Sequence, residues 1–235
     1  ADYNFVYGAH RFNTMIGYGW DRIFNKSVSN SYEDFPDDKV LNNVNSAVTA
    51  TSWSSGKSTT GLNSVYARVG YVYADRYLAE LNFRSDVSSK FGPGNKRGYF
   101  PSISLGWRLN EENFMERQSW ISDLKLRMSY GRTGSTNVED FSYIQFFTRN
   151  DNYFWGQEPS VGLKDVMPNK DVRWEMTSEY NAGVDYNFWN HRLYGSVDFY
   201  YRYTDGALAP APAPRESGFT TYTCMVNKIN CFTVV

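Results

Sequence analysis

Helical periodicity, long apolar runs and a surplus of charge are all missing from this 235-residue sequence. Its 24 Lys and Arg stand against 25 Asp and Glu, a formal net charge of -1. It therefore has no basic excess for binding nucleic acid or an anionic surface. The apolar runs are a few residues long, against the roughly 20 that a spanning helix needs, and mean hydropathy is -0.56, so a transmembrane helix is excluded. Cysteine is scarce. Cys224 and Cys231 form no C-x-x-C pair; they exclude a disulfide framework and leave open a single bridge in an oxidising compartment. The opening Ala1-Asp2-Tyr3-Asn4-Phe5-Val6-Tyr7 has neither the basic nor the apolar region of a signal peptide. The chain is accordingly expected to be mature, trimmed or cut from something longer. The two histidines, His10 and His191, sit in short links with no Cys or carboxylate at metal-ligand spacing. No Ser-His-Asp or Cys-His arrangement emerges, so no catalytic residue, metal, cofactor or enzymatic activity is expected.

What the sequence does have is alternation. Aromatic residues make up 18% of it, and apolar side chains recur at every second position, the period of a strand. From Phe12 the even positions are Phe12, Thr14, Ile16, Tyr18 and Trp20, and the odd ones are Asn13, Met15, Gly17, Gly19 and Asp21. The same division runs through 64–73, 77–84, 102–109, 124–131, 174–188 and 192–204, and a short first strand is expected around Tyr3, Phe5 and Tyr7. The pattern predicts an all-β, antiparallel fold of about eight strands, most of them about 10 residues or longer.

The links carry a second pattern. Short ones at Gly8-Ala9-His10, Ala74-Asp75-Arg76 and Asn190-His191 alternate with long ones expected at 24–62, 85–98, 134–173 and from 206 onward, and the link at 110–123 falls with the short set. All short turns then lie at one end of the sheet, the layout of an outer-membrane barrel. The last hairpin predicts its own register. A two-residue Asn190-His191 turn sets Phe188 opposite Leu193, Val184 opposite Val197 and Tyr180 opposite Tyr201, with Glu179 facing Arg202 on the other side. A slip by one residue would turn Arg202 and Asp198 to the apolar face.

A sheet with one apolar and one polar face fits either a soluble sandwich, whose apolar faces meet, or a membrane barrel, whose apolar face meets lipid. A third arrangement is a small eight-stranded barrel closed on itself, with first and last strands paired and the interior filled by side chains. Three features favour lipid. The polar faces carry many charges beside Gly and Ser, as a wet lumen would. The apolar faces are rich in Tyr and Trp near strand ends, where amphipathic rings suit a headgroup interface. The strands also exceed the mode of about 5–6 residues for globular sheets, whereas a tilted membrane strand needs about 9–11.

Several stretches resemble a known family. Arg84-Ser85-Asp86-Val87-Ser88-Ser89-Lys90-Phe91-Gly92, then Phe100-Pro101-Ser102-Ile103-Ser104-Leu105-Gly106-Trp107-Arg108, then Leu124-Lys125-Leu126-Arg127-Met128-Ser129-Tyr130-Gly131-Arg132-Thr133-Gly134 are similar to the barrel of SusC/RagA-type TonB-linked outer-membrane proteins. So are Trp174-Glu175, Tyr180 to Asp185, Arg192-Leu193 and Asp198 to Tyr200. Val87, where the family usually has Gly, and Arg97, where an aromatic is common, depart from it. The resemblance implies part of the C-terminal half of a transmembrane β-barrel in the bacterial outer membrane. Such a barrel has about 22 strands and imports glycan or peptide fragments. Its implied partners are a SusD-like surface lipoprotein as lid, the TonB complex acting through a plug and Ton box absent from this sequence, outer-membrane lipid and an oligosaccharide or peptide substrate. Residues 1–208 are expected to supply strands and extracellular loops, and 209–235 a Pro-rich loop with a tail or next strand. The runner-up is a secreted or surface β-sandwich that binds carbohydrate without transport.

The candidate residues follow from the strand faces. Arg68, Glu80, Arg84, Arg108, Lys125, Arg127, Glu175, Glu179, Asp185, Asp198 and Arg202 are expected to face the lumen. Trp53, Tyr153, Phe154 and Trp155, in long links, are candidates for contact with a ligand or lid, since exposed aromatic clusters mark interaction surfaces; packing among the loops is the other reading. Glu175 and Glu179 form a carboxylate pair of the kind glycosidases use, but alternate strand positions produce such pairs routinely. Gly92-Pro93-Gly94-Asn95-Lys96-Arg97-Gly98 lacks the Lys-Ser/Thr ending of a P-loop and precedes a strand, so it reads as a loop tip.

Overall fold

A computed structural model describes residues 1–37, 39–41, 43–115, 117–226 and 229–234. In chain order its strands are β1 (Asp2–Tyr7), β2 (His10–Glu33), β3 (Thr49–Tyr73), β4 (Tyr77–Ser88), β5 (Arg97–Arg108), β6 (Ile121–Ser135) and β7 (Phe147–Trp155). They continue with β8 (Glu158–Leu163), β9 (Val166–Met167), β10 (Glu175–Phe188), β11 (Leu193–Asp205), β12 (Ala207–Pro212), β13 (Thr221–Val226) and β14 (Ile229–Val234). Nine of them make one sheet in the order β1-β2-β3-β4-β5-β6-β10-β11-β14. β7 and β8 pair as a separate hairpin, and β12, β13 and β9 form a small third sheet. Among the described residues no helix is long and apolar enough to cross a membrane, which says nothing of a β-barrel.

The alternation fixes the pairing. β10 and β11 meet with Phe188 opposite Leu193, Val184 opposite Val197, Tyr180 opposite Tyr201 and Glu179 opposite Arg202, the register the hairpin predicts. Arg192 N donates to Trp189 O at 3.3 Å across the turn. The two central residues, Asn190 and His191, have φ of 52° and 68°, the left-handed pair that matches the twist of the strands. The turn at Ala74 and Asp75 (φ 50° and 56°) is left-handed too, but Tyr73 stands opposite Tyr77, so that link holds three residues.

All the short links lie at one end, and backbone bonds join them into a rim. Ala74 N donates to Ala9 O at 2.8 Å, Arg108 N to Arg76 O at 2.8 Å, and Trp189 N to Trp120 O at 2.8 Å. The link at 110–123 therefore belongs with the short turns, as the alternation of links implies.

Four expectations change. The segment 24–62 is largely strand, because β2 and β3 run for 24 and 25 residues; the Ser, Thr and Asn that dominate it mask the apolar period. Residues Asp21–Gly61 form a compact unit of their own, the other unit being Ala1–Trp20 with Leu62–Val235. The link at 134–173 contains the β7–β8 hairpin. The main sheet gains a ninth strand, β14, paired to β11 through Phe199 opposite Val234 and Thr204 opposite Ile229. Gly206, at φ 70°, turns the chain out of the main sheet into β12, where Pro210 and Pro212 occupy an edge strand, the position in which a missing N–H is tolerated.

The sheet is open, with β1 and β14 at opposite edges, so the self-closed small barrel is not formed. The sandwich also fails. Ile16, Tyr18, Leu81, Leu105, Met128 and Tyr180, all on the apolar face, are between 47% and 67% exposed, where facing sheets would bury them. Among the described residues the buried apolar side chains are Phe91, Phe100, Val172 and Trp174. They form one cluster at the long-loop end, with Leu62, Val138, Met176 and Leu208 packed around it.

Candidate functional site: the polar face

The registers put all eleven charged candidates on one face. Arg68 stands opposite Asn82, and Glu80 opposite Gly70 and Ser104. Arg108 lies opposite Lys125, and Gly106 opposite Arg127. Arg127 then neighbours Gly183, Lys125 neighbours Asp185, and Gly183 neighbours Asp198. Because side chains alternate with period 2, these pairings carry the same face from β3 through β11.

Most of these charges are paired. Arg68 meets Glu80 at 3.2 Å. Arg84 Nε donates to both carboxylate oxygens of Asp86 at 2.9 Å, and its Nη2 donates to Ser64 Oγ at 3.2 Å. Asp86 and Ser64 are buried. Arg202 donates from Nε and Nη2 to Glu179 Oε2 at 2.8 and 2.6 Å. Glu175 Oε2 accepts from the backbone N–H of Leu208 at 3.2 Å, so it ties the start of β10 to β12. Glu175 and Glu179 thus have separate partners and do not act as a carboxylate couple.

Arg127 is the centre of the network. Its Nε and Nη2 donate to Asp185 Oδ2 and Oδ1, both at 2.8 Å, in the planar two-point geometry that suits guanidinium and carboxylate. Nη2 also donates to Asp198 at 3.1 Å, two strands away across β10. Gly183 makes that reach possible: a Cβ there would collide with Asp198 Oδ1 and lie 3.0 Å from Arg127 Nη2. An open concavity of about 590 Å3 lies over this face, with Asn13, Arg68, Glu80, Lys125, Arg127 and Asn181 in its wall.

The long-loop end is built differently. Trp174 Nε1 donates to Lys96 O at 3.0 Å, and its ring centroid lies 5.2 Å from those of both Phe91 and Phe100. The β5–β6 ladder ends at Ser102 opposite Gly131, next to Pro101, which has no N–H to donate. Beyond that point Phe100 packs where a Cβ on either Gly98 or Gly134 would strike its ring. Lys90 Nζ donates to Thr136 O and Val138 O at 3.4 and 3.2 Å and meets Asp140 at 3.4 Å. Asn95 Nδ2 donates to Lys170 O at 3.2 Å, and Asn169 Nδ2 to Thr223 O at 2.8 Å. The loops therefore hold one another. The individual faces do not reveal this cluster; its signal is that Phe91, Phe100, Gly134 and Trp174 all fall inside the stretches that carry the family resemblance.

The aromatic candidates lie on two strands. Trp53 lies on β3 within the Asp21–Gly61 unit and is 80% exposed. Tyr153, Phe154 and Trp155 lie on β7, with their side chains outside those described. His10 Nδ1 is 2.9 Å from the Tyr71 hydroxyl, and His191 occupies its turn. Cys224 and Cys231 are free thiols. Among the described residues no three His, Cys, Asp or Glu side chains converge to hold a metal.

At the short-turn rim, Glu112 accepts from the Tyr77 hydroxyl at 2.6 Å and from Trp107 Nε1 at 3.0 Å. Those two bonds, the Tyr77 one first, hold its carboxyl below the usual carboxylate range against some desolvation, and Arg76 at 3.6 Å adds to the effect.

Comparison with known proteins decides what this sheet belongs to. Residues 1–228 match the family described as TonB dependent receptor-like, beta-barrel. The chain belongs to that receptor family. Among receptors of known sequence it is 34% identical over 214 residues to the TonB-dependent receptor SusC of Bacteroides thetaiotaomicron, covering 89% of this chain and 20% of SusC. It is 39% identical over 173 residues to the TonB-dependent receptor P39 of Formosa agariphila, covering 73% of this chain and 16% of P39. The chain thus spans about a fifth of the length of these relatives. Its backbone superimposes on the structure of the RagAB peptide transporter with a TM-score of 0.83 at 26% identity, over 99% of this chain and 26% of that one. A siderophore receptor, PirA of Acinetobacter baumannii, shares the fold at a TM-score of 0.57 and 12% identity.

Proposed function

We propose that this chain is an arc of the wall of an outer-membrane importer for glycan or peptide nutrients, powered through TonB and working with a SusD-like surface lipoprotein. The observation that carries the reading is the contrast between the two faces: one apolar and bare, the other charged and internally paired, on strands long enough to cross a bilayer. In this reading the apolar face meets lipid, the short-turn rim lies at the periplasmic side and the long loops form the extracellular mouth. Arg68, Glu80, Arg84, Arg108, Lys125, Arg127, Glu175, Glu179, Asp185, Asp198 and Arg202 line the lumen. Trp53, Tyr153, Phe154 and Trp155 contact the ligand or the lid. Residues 1–208 supply wall and loops, and 209–235 the Pro-rich loop and the next strand. The edges of β1 and β14 pair with further strands, since unpaired backbone groups in hydrocarbon cost several kcal/mol each. The kinship with the RagAB peptide transporter favours peptide, glycan is the other class that the family resemblance implies, and the shared chemistry is a polar oligomer too large to diffuse through the membrane.

The test is accessibility in the full-length protein in its native membrane. Single cysteines at Leu81 and Leu105 are expected to react with a lipid-soluble maleimide and resist a charged one, and cysteines at Glu80 and Ser104 to show the reverse. Equal labelling of both faces by the charged reagent would sink the reading.

A further inference from the structure

The short-turn rim carries a pocket lined by none of the charged candidates. Ser119, Trp120, Trp189, Asn190 and Arg192 line an open cavity of about 830 Å3, within the size range of small-molecule sites. Its two indoles are held in place. Trp189 N donates to Trp120 O at 2.8 Å, their ring centroids are 6.2 Å apart, Phe188 lies 5.2 Å from Trp120, and Trp120 Nε1 donates to Gln118 at 2.9 Å. Even so, Trp120 is 44% and Trp189 53% exposed, so ring surface remains for a ligand. Beside them Arg192 is exposed, and no side-chain ion pair or hydrogen bond engages it among the described residues. Two other arginines of the rim are engaged: Arg11 pairs with Asp75, and Arg76 with Glu112.

An uncommitted guanidinium is a fork of donors matched to phosphate oxygens. Exposed indoles suit the zone where glycerol and the first acyl carbons meet the headgroups. A free phosphate would use the arginine and leave both rings idle; a lipid uses both. We propose that this pocket holds the headgroup of a glycerophospholipid from the leaflet at the short-turn end, its phosphodiester oxygens on Arg192 and its glycerol and upper acyl carbons against Trp120 and Trp189. The assignment rests on the membrane orientation proposed above, which puts this rim at headgroup depth.

The experiment uses the full-length protein in detergent, titrated with phosphatidylethanolamine and, in a parallel arm, with inorganic phosphate, bound species being counted by native mass spectrometry. Wild type is expected to retain a lipid that Arg192→Gln releases, with affinity about tenfold weaker for loss of a charge-assisted pair. Arg192→Lys should fall between the two, and Arg117→Gln, on the neighbouring link but outside the pocket, should bind as wild type does. Equal retention by wild type and R192Q overturns the proposal, as does displacement of the lipid by inorganic phosphate at comparable concentration, which would make this a plain anion site. A protein that proves monodisperse without detergent fails the transport reading itself. A detergent-dependent protein whose R192Q variant keeps its lipid fails only this inference.

Discussion

The outer apolar face and the cluster at the long-loop end use the same residue types to opposite effect. On the face, Leu81, Leu105 and Met128 are open to the surroundings. In the cluster, Phe91 and Val172 are completely buried and Trp174 nearly so. The difference shows where this chain must hold itself together and where it leaves that to its solvent. Membrane strands take their lateral order from the hydrogen-bond ladder and gain little from burying apolar groups against protein, since lipid is as apolar as they are. The loops beyond the strands have no such solvent, so they gather a water-excluding core of their own.

The comparison can be broken from either side in the full-length receptor. The largest effect is expected at the core: Trp174→Ala should destabilise by about 3–5 kcal/mol, read as a fall in the urea midpoint and as faster proteolysis of 136–146. Next, Leu81→Arg should cost about 2–4 kcal/mol if Leu81 lies near the bilayer midplane, and close to nothing if the face meets water; unfolding in lipid vesicles gives the difference. Gly183→Ala is expected to cost about 1–3 kcal/mol by pushing Asp198 off Arg127 and leaving a partly buried charge short of a partner, and Asp198→Asn in the same background should recover part of it. A double-mutant cycle measures that coupling.

The smallest effect is at the rim. The carboxyl of Glu112 has its pKa lowered in the folded state, so the stability it adds is present in full above its unfolded pKa. That stability is lost as pH falls through the lower folded value. Wild type should therefore exceed Glu112→Gln in melting temperature at neutral pH, with the gap closing below about pH 4.5, the ordinary value for a glutamate. A gap that persists unchanged in acid would show that Glu112 acts by shape rather than charge.

Much of the fold was legible because alternation and turn chemistry point the same way. Phe188, Asn190, His191 and Leu193 set one register, and that register places Glu179 against Arg202. The face shared by the charged residues follows by parity alone. Strand length was harder to read. In β2 and β3 the segments 25–31 and 51–61 are mostly Ser, Thr, Asn, Lys and Gly, whose polarity on both faces erases the period that marked their other halves. The loop-end core was hidden for another reason. Phe91, Phe100 and the Val172–Trp174 pair come from three separate stretches, and only the folded loops bring them together. The Arg127–Asp198 contact escaped because it skips a strand, and the glycine that permits it carries no side chain to notice.

The rim has a further implication. Ala9 with Ala74, Arg76 with Arg108, and Trp120 with Trp189 are joined by bonds between backbone atoms, to which the pairs Arg11–Asp75 and Arg76–Glu112 add side-chain links. The backbone part of that fastening is indifferent to sequence: a hairpin taken from a relative and spliced between the same neighbours would restore it whatever side chains its turn carries, provided its backbone takes the same bend. Recombination between related genes could therefore exchange a hairpin, and with it a long loop, without losing the backbone bonds of the short-turn rim.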